Sequence, residues 1–422
     1  MLTSILLVLG LASAPGQAAP TPAPPGSLSL EAAITAARHA SEVRGAAVER
    51  ADGARAASRL AGRWANPEVE VRAENLVGSG WHWSPPVDPG RAPAVDAFAL
   101  VNQPLELGRR RPRRALAEAD AAAASAALVQ VERHVVLETA RVYLDALRAR
   151  ETLAALDTHL ESFGGHERAM AARVGEGVAA EADLAKFQAE AGRLRALQAR
   201  TRIEMNRSLA LLGALVGEAD PVLPSRLREP AAWPALAPTP GQTLPQDLLR
   251  HAPDLLEARA LEARAARALD VERSRRLPDV VISGGYKRTA GFDSAVLGAV
   301  VAVPLFDRNQ AAAAAAGGEA RAAARERAAV ERRVAAEVRA AIEAAQLLEE
   351  RARRADEEVL RPAETVRNAA RAAFREGSSN ILNLVDAERV YLEARREALQ
   401  VKLDALAAGI EVRVLLGEEV VR

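Results

Sequence analysis

The sequence predicts a mainly α-helical fold with a small β part: two duplicated, long coiled-coil helical hairpins and four short β-strands. Three observations predict this fold. Aromatic residues make up only 3% of the 422 residues, and Ala, Arg, Glu and Leu dominate, as in proteins built from long helices. The chain is also a tandem repeat. Finally, each repeat contains two strand-like segments followed by an apolar heptad pattern.

The repeat is visible in matched positions of the two halves. Pro104 and Pro304 lie 200 positions apart, and the same offset relates Gly177 to Gly377. Further upstream, Asn-Pro-Glu-Val at 66–69 matches Leu-Pro-Asp-Val at 277–280, and loop insertions explain the different offset. A period this long indicates a duplicated unit of about 200 residues rather than a short solenoid repeat.

Composition and the repeat together divide the chain. Residues 1–19 are predicted to be a secretory signal, because a short apolar run is followed by small residues. A Pro-rich spacer is predicted at 20–29, an equatorial linker at 217–245 and a tail at 418–422. The first repeat covers 30–216, with a β-hairpin at 66–104 and a helical tip near 177. The second repeat covers 246–417, with a β-hairpin at 278–304 and a tip near 377.

Each repeat is predicted to contain one very long helix. Apolar residues recur every seven positions in both of them, at Leu128, Val135, Val142, Ala149, Leu156 and Phe163 and again at Val338, Ala345, Ala352, Val359, Val366 and Ala373. The predicted helices cover 30–63, 107–173, 179–216, 246–276, 308–374 and 380–416. At about 1.5 Å per residue, the two longest helices each span roughly 100 Å. Two shorter helices stacked end to end have the same total length.

Four strands are predicted, at 68–74, 94–103, 279–288 and 295–303. In the first, small and apolar side chains alternate with charged ones, which predicts one apolar face. Strands of about ten residues have the length needed to cross a bilayer. Four strands cannot close a barrel and an open edge is not tolerated in lipid, so several copies must contribute; three copies give twelve strands.

The composition argues against several classes of function. Lys plus Arg and Asp plus Glu both number 56, so the basic excess of nucleic-acid-binding proteins is missing and no nucleic-acid partner is expected. The chain contains no cysteine, which excludes disulfides and thiolate metal sites. The sequence shows neither a phosphate-binding loop nor a nucleophile elbow. We therefore expect no enzyme activity and no cofactor.

Two groups of residues have more than one interpretation. His159 and His166 lie seven residues apart, and we expect ordinary solvated helix residues there rather than weak cation contacts. No metal site is predicted, because the histidines lack the close spacing of a metallohydrolase motif. The basic run at 109–114 is either an anchor near lipid headgroups or a solvated helix start.

The order of these elements resembles that of the TolC-type outer-membrane efflux factors, over nearly the whole chain after the signal. The resemblance rests on the strand-to-helix junctions at Pro104 and Pro304 and on the turns at Gly177-Val178 and Gly377-Ser378. It implies a homotrimer with a twelve-stranded barrel in outer-membrane lipid and an α-barrel extending into the periplasm. It also implies two partners, an inner-membrane pump of the resistance-nodulation-division (RND) type and a periplasmic adaptor docking at those four turn residues.

The resemblance also implies an aperture. Family members carry Leu-Asp-x-x-Asp at the periplasmic mouth, and residues 382–386 read Leu-Asn-Leu-Val-Asp. Asn383 replaces the first acid, so a single ring of Asp386 side chains is expected in place of two acidic rings. Asp183 resembles the equivalent position of the first repeat.

A narrower resemblance concerns the branch of the family. Residues 103–108, Gln-Pro-Leu-Glu-Leu-Gly, followed by an Arg-rich stretch, resemble the heavy-metal branch, whose members export divalent cations. The expected function is a passive exit duct in a tripartite efflux system. Two alternatives stay open: a type I protein-secretion exit duct, and a soluble coiled-coil structural or adaptor protein without a barrel.

Overall fold

The computed structural model describes residues 26–74, 96–229, 249–289 and 292–418. The predicted signal at 1–19 lies outside the described residues. So do most of the spacer, much of the linker, the start of the second predicted strand and residues 419–422. Among the described residues, no helix is both long enough and apolar enough to cross a bilayer.

The described helices follow a duplicated plan. They are α1 (Leu30–Ala40), α2 (Glu42–Leu60), α3 (Arg110–Gly175), α4 (Glu181–Val216), α5 (Pro253–Ser274), α6 (Gln310–Ala355), α7 (Arg361–Arg375) and α8 (Ile381–Leu416). A π-helical segment, Asp356–Leu360, joins α6 to α7, so helical conformation continues from 310 to 375. α3 and this second long helix begin and end 200 residues apart, and so do α4 and α8.

The single helix predicted over 30–63 is wrong, because the chain breaks at Ser41. The Ser41 backbone is extended, and its hydroxyl accepts the Arg44 N–H at 3.2 Å, which caps α2. The break lies beside the end of α4, where Gly217 has a φ of +82° and a Cβ would come within 2.7 Å of Ala40. Similarly, α5 starts at Pro253, and Gly417 at the end of α8 packs against the His251 carbonyl group.

The uninterrupted heptad row predicted for the second long helix is also wrong beyond α6. Pro362 has no N–H to donate, and the Arg361 N–H bonds the Asp356 carbonyl oxygen five residues back, which makes the π-helical turn. The extra residue in this turn rotates the helix. Val338 and Ala345 are fully buried as predicted, whereas Val366 is 54% exposed.

Tyr143, which is fully buried in α3, connects this helix to the segments before α1 and after α4. Its hydroxyl lies 2.9 Å from the Leu28 carbonyl oxygen and accepts the Arg228 N–H at 3.0 Å. Burial raises the pKa of Tyr143 to about 12. The segments before α1 and after α4, which also meet in the parallel bridge Leu28–Leu227, are thereby fixed to the long helix.

The strands form one antiparallel sheet. They are β1 (Glu68–Glu74), β2 (Asp96–Leu105), β3 (Asp279–Thr289) and β4 (Phe292–Ala302), in the spatial order β1-β2-β3-β4. The β2–β3 pair joins the two halves of the chain. Within the described part of the chain, the outer edges of β1 and β4 have no strand partner, so the sheet is open on both sides. A mainly helical fold with a small antiparallel sheet is confirmed.

Candidate functional site

The sheet has two chemically different faces. Following the strand register, one face is mainly apolar, although Gln103, Arg288 and Asp293 also lie on it. Its apolar residues include Val69, Val71, Ala97, Ala99, Val101, Leu105, Val280, Ile282, Tyr286, Leu297, Ala299 and Val301. Several of these side chains are largely exposed: Val71 is 78% exposed and Leu297 is 88% exposed. An apolar surface of this extent, left uncovered by the described residues, indicates contact with lipid or with another protein.

The opposite face, called the polar face below, carries the charged and amide side chains of β1, β2 and β3, some of which bond to one another across strands. Apolar side chains lie on it as well, including Phe98, Leu100, Val281, Val296 and Val300. Asn102 Nδ2 donates to Glu70 at 3.1 Å, and the Ser283 hydroxyl donates to Asn102 Oδ1 at 2.7 Å. Acids outnumber bases on this face, with Glu68, Glu70, Glu74, Asp96 and Asp279 against Arg72 and Lys287. A surface lined in this way attracts cations more than anions.

The two proline junctions differ in detail. Pro104 pairs with Val281 inside β2, beyond the last β1 pair, so no β1 residue requires its missing N–H. Pro304 instead follows β4 by two residues. Next to the first junction, Arg109 lies 2.7 Å from Asp279 and donates to the Leu277 carbonyl oxygen at 2.7 Å. The strand end, α3 and the end of α5 are thereby connected.

The two predicted tips adopt the same geometry. Gly177 and Gly377 have φ values of +71° and +73°, and no other atom lies within 4 Å of a Cβ built on either. The N–H groups of Val178 and Ser378 bond the Arg173 and Ala373 carbonyl oxygens at 2.9 Å, which completes a Schellman motif at each helix end. Val178 is 68% exposed, so an apolar side chain projects from the first tip.

The predicted aperture residues lie on two helix starts. Asn383 and Asp386 are exposed in the first turns of α8, whose cap is the Asn380 side chain, and Asp386 pairs with Arg389 at 2.8 Å. Asp183 is half-buried in the first turn of α4 and pairs with Lys186 at 3.3 Å. Asp386 is therefore accessible at the surface of the protomer, and Arg389 partly neutralises its charge.

Glu388, which the sequence analysis missed, is 1% exposed between α8, α3 and α7. It forms an ion pair with Arg371, and Arg371 also donates to the Ser162 hydroxyl at 3.1 Å. His159 Nδ1 lies 3.3 Å from Glu388 Oε2, a polar contact without the alignment of a hydrogen bond. A signal existed in the sequence: Glu388 lies four residues from both Leu384 and Leu392, on the buried row of α8.

Burial alone would raise the pKa of Glu388, but its contacts with His159 and Arg371 outweigh that effect and lower the pKa to about 2. The expectation of solvated histidines is wrong here, since His159 is only 7% exposed. Burial also lowers the pKa of the half-buried His166, whose ring packs edge-on against Phe374 at 6.0 Å. These side chains are part of the packing between helices.

The basic run does not act as one unit. Carbonyl groups or acids of the junction accept hydrogen bonds from Arg109, Arg110 and Arg113, and Arg114 pairs with Glu118. Arg111 has no such partner among the described residues. Among the described residues, no cluster of three or more His, Asp or Glu side chains is placed to hold a metal ion.

Comparison with known proteins agrees with this architecture. A family model described as outer membrane efflux protein matches residues 35–218 and 244–418, most of the chain. The cobalt-zinc-cadmium resistance protein CzcC of Cupriavidus metallidurans is 27% identical over 395 residues, 93% of this chain and 90% of that protein. The nickel-cobalt-cadmium resistance protein NccC of Alcaligenes xylosoxydans xylosoxydans is 29% identical over 68% of this chain and 62% of its own length.

Among solved structures, the outer membrane protein VceC of Vibrio cholerae superposes with a TM-score of 0.76 at 20% identity. The match covers 92% of this chain and 96% of the VceC chain. At this identity the likeness shows a shared fold.

Proposed function

The chain belongs to the outer membrane efflux protein family, and we propose that it forms the passive exit duct of a tripartite efflux system for divalent metal cations. Its location is the outer membrane, with the helical part in the periplasm. The observation that carries the proposal is the sheet, which exposes one mainly apolar face and, among the described residues, leaves two edges open. In lipid, an open edge leaves backbone groups unsatisfied at a cost of several kcal/mol each, so the sheet must be completed by further copies.

We propose that three copies complete it, since three four-stranded sheets give a twelve-stranded barrel. The exposed apolar face would then contact lipid, and the polar face with Glu70, Asn102 and Ser283 would line the pore. The soluble coiled-coil alternative leaves the exposed Val71 and Leu297 unexplained. The family and its outer-membrane location also exclude it.

Cations are the proposed cargo for two reasons. Acids outnumber bases on the pore-lining face, which lowers the energy of a cation there. CzcC and NccC, two relatives, are named for resistance to cobalt and cadmium. A conduit needs no tight metal site, because strong binding would slow exit. In the tripartite system, an RND-type pump would supply the energy and a periplasmic adaptor would connect pump and duct.

A deletion strain tests the proposed function. We expect deletion to increase sensitivity to Co²⁺, Zn²⁺ and Cd²⁺, and a plasmid copy to restore resistance, because the exit step is lost and regained. Minimum inhibitory concentrations of these salts are the measurement, with antibiotics and dyes as comparison compounds. Unchanged metal tolerance together with a lost secreted protein would instead favour the type I secretion duct.

We propose that Asp386 sets the charge selectivity of the periplasmic aperture, with Asn383 in place of a second acid and Asp183 nearby in the first repeat. Asp386→Asn should reduce the ratio of cation to anion permeability, because three carboxylates leave one level of the pore. Arg389→Gln should have the opposite effect, since Arg389 partly neutralises Asp386. Reversal potentials of reconstituted trimers under a salt gradient measure both.

The control for this test is Glu393→Gln, which removes an exposed carboxylate from the same helix outside the proposed ring. If Asp386→Asn and Glu393→Gln leave the reversal potential equally unchanged, Asp386 does not determine selectivity.

We propose that the adaptor docks on the tips formed by Gly177, Val178, Gly377 and Ser378. Gly177→Gln and Gly377→Gln place a side chain on left-handed backbone, at a cost of about 1–2 kcal/mol per position, and should reshape each tip. The yield of site-specific cross-links to the adaptor should fall, while trimers persist. Gly164→Gln, in open space on α3 without positive φ, is the matched control. Equal cross-linking by all three variants would contradict docking at the tips.

A further inference from the structure

A pocket of about 410 Å³ lies between the start of α3 and the end of α5, next to the sheet. Five charged side chains line it: Arg111, Arg267, Asp270, Arg273 and Arg276. Arg267 and Asp270 form an ion pair at 3.1 Å and neutralise each other. The pocket therefore carries the excess positive charge of Arg111, Arg273 and Arg276.

These three arginines differ from their neighbours in having no hydrogen-bond or ion-pair partner in the described part of the chain. Arg109 and Arg113 bond acids and carbonyl groups, whereas the side chains of Arg111, Arg273 and Arg276 make no hydrogen bond or ion pair with any described residue. Arg111 comes from α3 and the other two come from α5, so two helices bring like charges to one concavity. All three side chains are exposed, so water and salt weaken their mutual repulsion, and an anion between them would remove what is left of it.

The surroundings of the pocket indicate an amphiphilic ligand. Leu277 lines the pocket, is 39% exposed and lies two residues before β3 begins. Leu107, 46% exposed, lies between β2 and α3 on the other side of the same junction. The pocket is thus located at the junction between the strands and the charged helix ends. With the sheet in the membrane, this is the level at which arginine contacts lipid headgroups.

We propose that this pocket binds the phosphate of an anionic lipid, with Arg111, Arg273 and Arg276 around the phosphate and the acyl chains against the apolar sheet face. The inference rests on the proposed placement of the sheet in the membrane. Guanidinium groups match phosphate oxygens in geometry and charge. One lipid per protomer would fix the height of the helical part relative to the membrane surface.

Native mass spectrometry of purified trimers in a mild non-ionic detergent tests the proposal, with phosphatidylglycerol as the probe. Each trimer should retain up to three molecules. The combined Arg111→Gln, Arg273→Gln and Arg276→Gln variant should bind on the order of a hundredfold more weakly at low ionic strength, or about fivefold per arginine. Diacylglycerol with the same chains should bind the wild type at least tenfold more weakly, because it lacks the phosphate.

The matched control removes three exposed arginines from α6, by Arg325→Gln, Arg332→Gln and Arg339→Gln, and should change the affinity by less than twofold. The three corresponding Arg→Lys changes in the pocket keep the charge but lose the planar set of donors, so they should bind more tightly than the Gln variant and more weakly than the wild type. Should the combined pocket variant fail to form trimers, Arg276→Gln alone should show the fivefold loss. Equal binding by pocket and control variants would overturn the proposal.

Inorganic phosphate distinguishes the two sources of the anion. If it competes with phosphatidylglycerol at similar concentrations, the pocket is a site for free phosphate rather than lipid. Failure of this proposal is separable from failure of the duct function: if the pocket variants keep full lipid binding while the wild-type chain restores metal resistance to the deletion strain, only the lipid site is refuted.

Discussion

We expect Leu297→Lys to prevent assembly of the trimer in membranes. Leu297 is 88% exposed on the apolar face of β4, and a lysine on the lipid face of a β-barrel costs about 2–4 kcal/mol near the bilayer midplane. The substitution occurs three times in one trimeric barrel, so its cost is incurred three times. The measurement is the fraction of purified, denatured protein that refolds into lipid vesicles as a trimer resistant to detergent dissociation.

Val296→Lys is the matched control, because Val296 adjoins Leu297 on the same strand and points to the polar face. The added cation should lie in the water-filled pore, so that refolding proceeds and cation selectivity falls. A reversed result, with Leu297→Lys tolerated and Val296→Lys harmful, would exchange the two faces. Equal tolerance of both variants would argue against a membrane-embedded sheet.

We expect Glu388→Gln to destabilise the packing of α8 against α3 and α7 by about 3–5 kcal/mol, the typical cost of removing one partner from a buried ion pair. Glu388 is 1% exposed, and its loss leaves His159 and Arg371 without their common anion. The thermal midpoint of the detergent-solubilised trimer at pH 7 should fall by several degrees. Glu393→Gln, an exposed change on the same helix, should leave the midpoint almost unchanged.

The stabilisation should depend on pH with a definite sign. The pKa of Glu388 is about 2 in the fold and 4.5 in its ordinary state, so the charged form is the one that the fold stabilises. The difference in stability between wild type and Glu388→Gln should be complete above pH 4.5. It should shrink as the pH falls towards about 2. A difference that stayed constant across this window would show that the buried charge is not its source.

Arg371→Met supplies an independent check. If Arg371 and Glu388 are coupled, Arg371→Met should cost less in the Glu388→Gln background than in the wild type. Additive effects of the two substitutions would show that the residues stabilise the bundle separately.

The sequence by itself determined the architecture, because the features that specify it are local or periodic. Alternation at 68–74 defined β1 and its apolar face, and the 200-residue offset of Pro104/Pro304 and Gly177/Gly377 matches the offset between the long helices. The two glycines could be recognised as turns because left-handed backbone favours glycine wherever it occurs. The roles proposed for Asp386 and for the tips come from resemblance and stay predictions.

Only the tertiary structure decided which distant side chains meet. Glu388 was an unremarked acid in the sequence, and its importance comes from Arg371 on α7 and His159 on α3, which no local pattern brings together. Arg111 likewise lines one pocket with Arg273 and Arg276 only because α3 packs against α5. Periodicity determines which face of a helix is buried, whereas the partners of that face depend on packing between helices that are far apart in the chain.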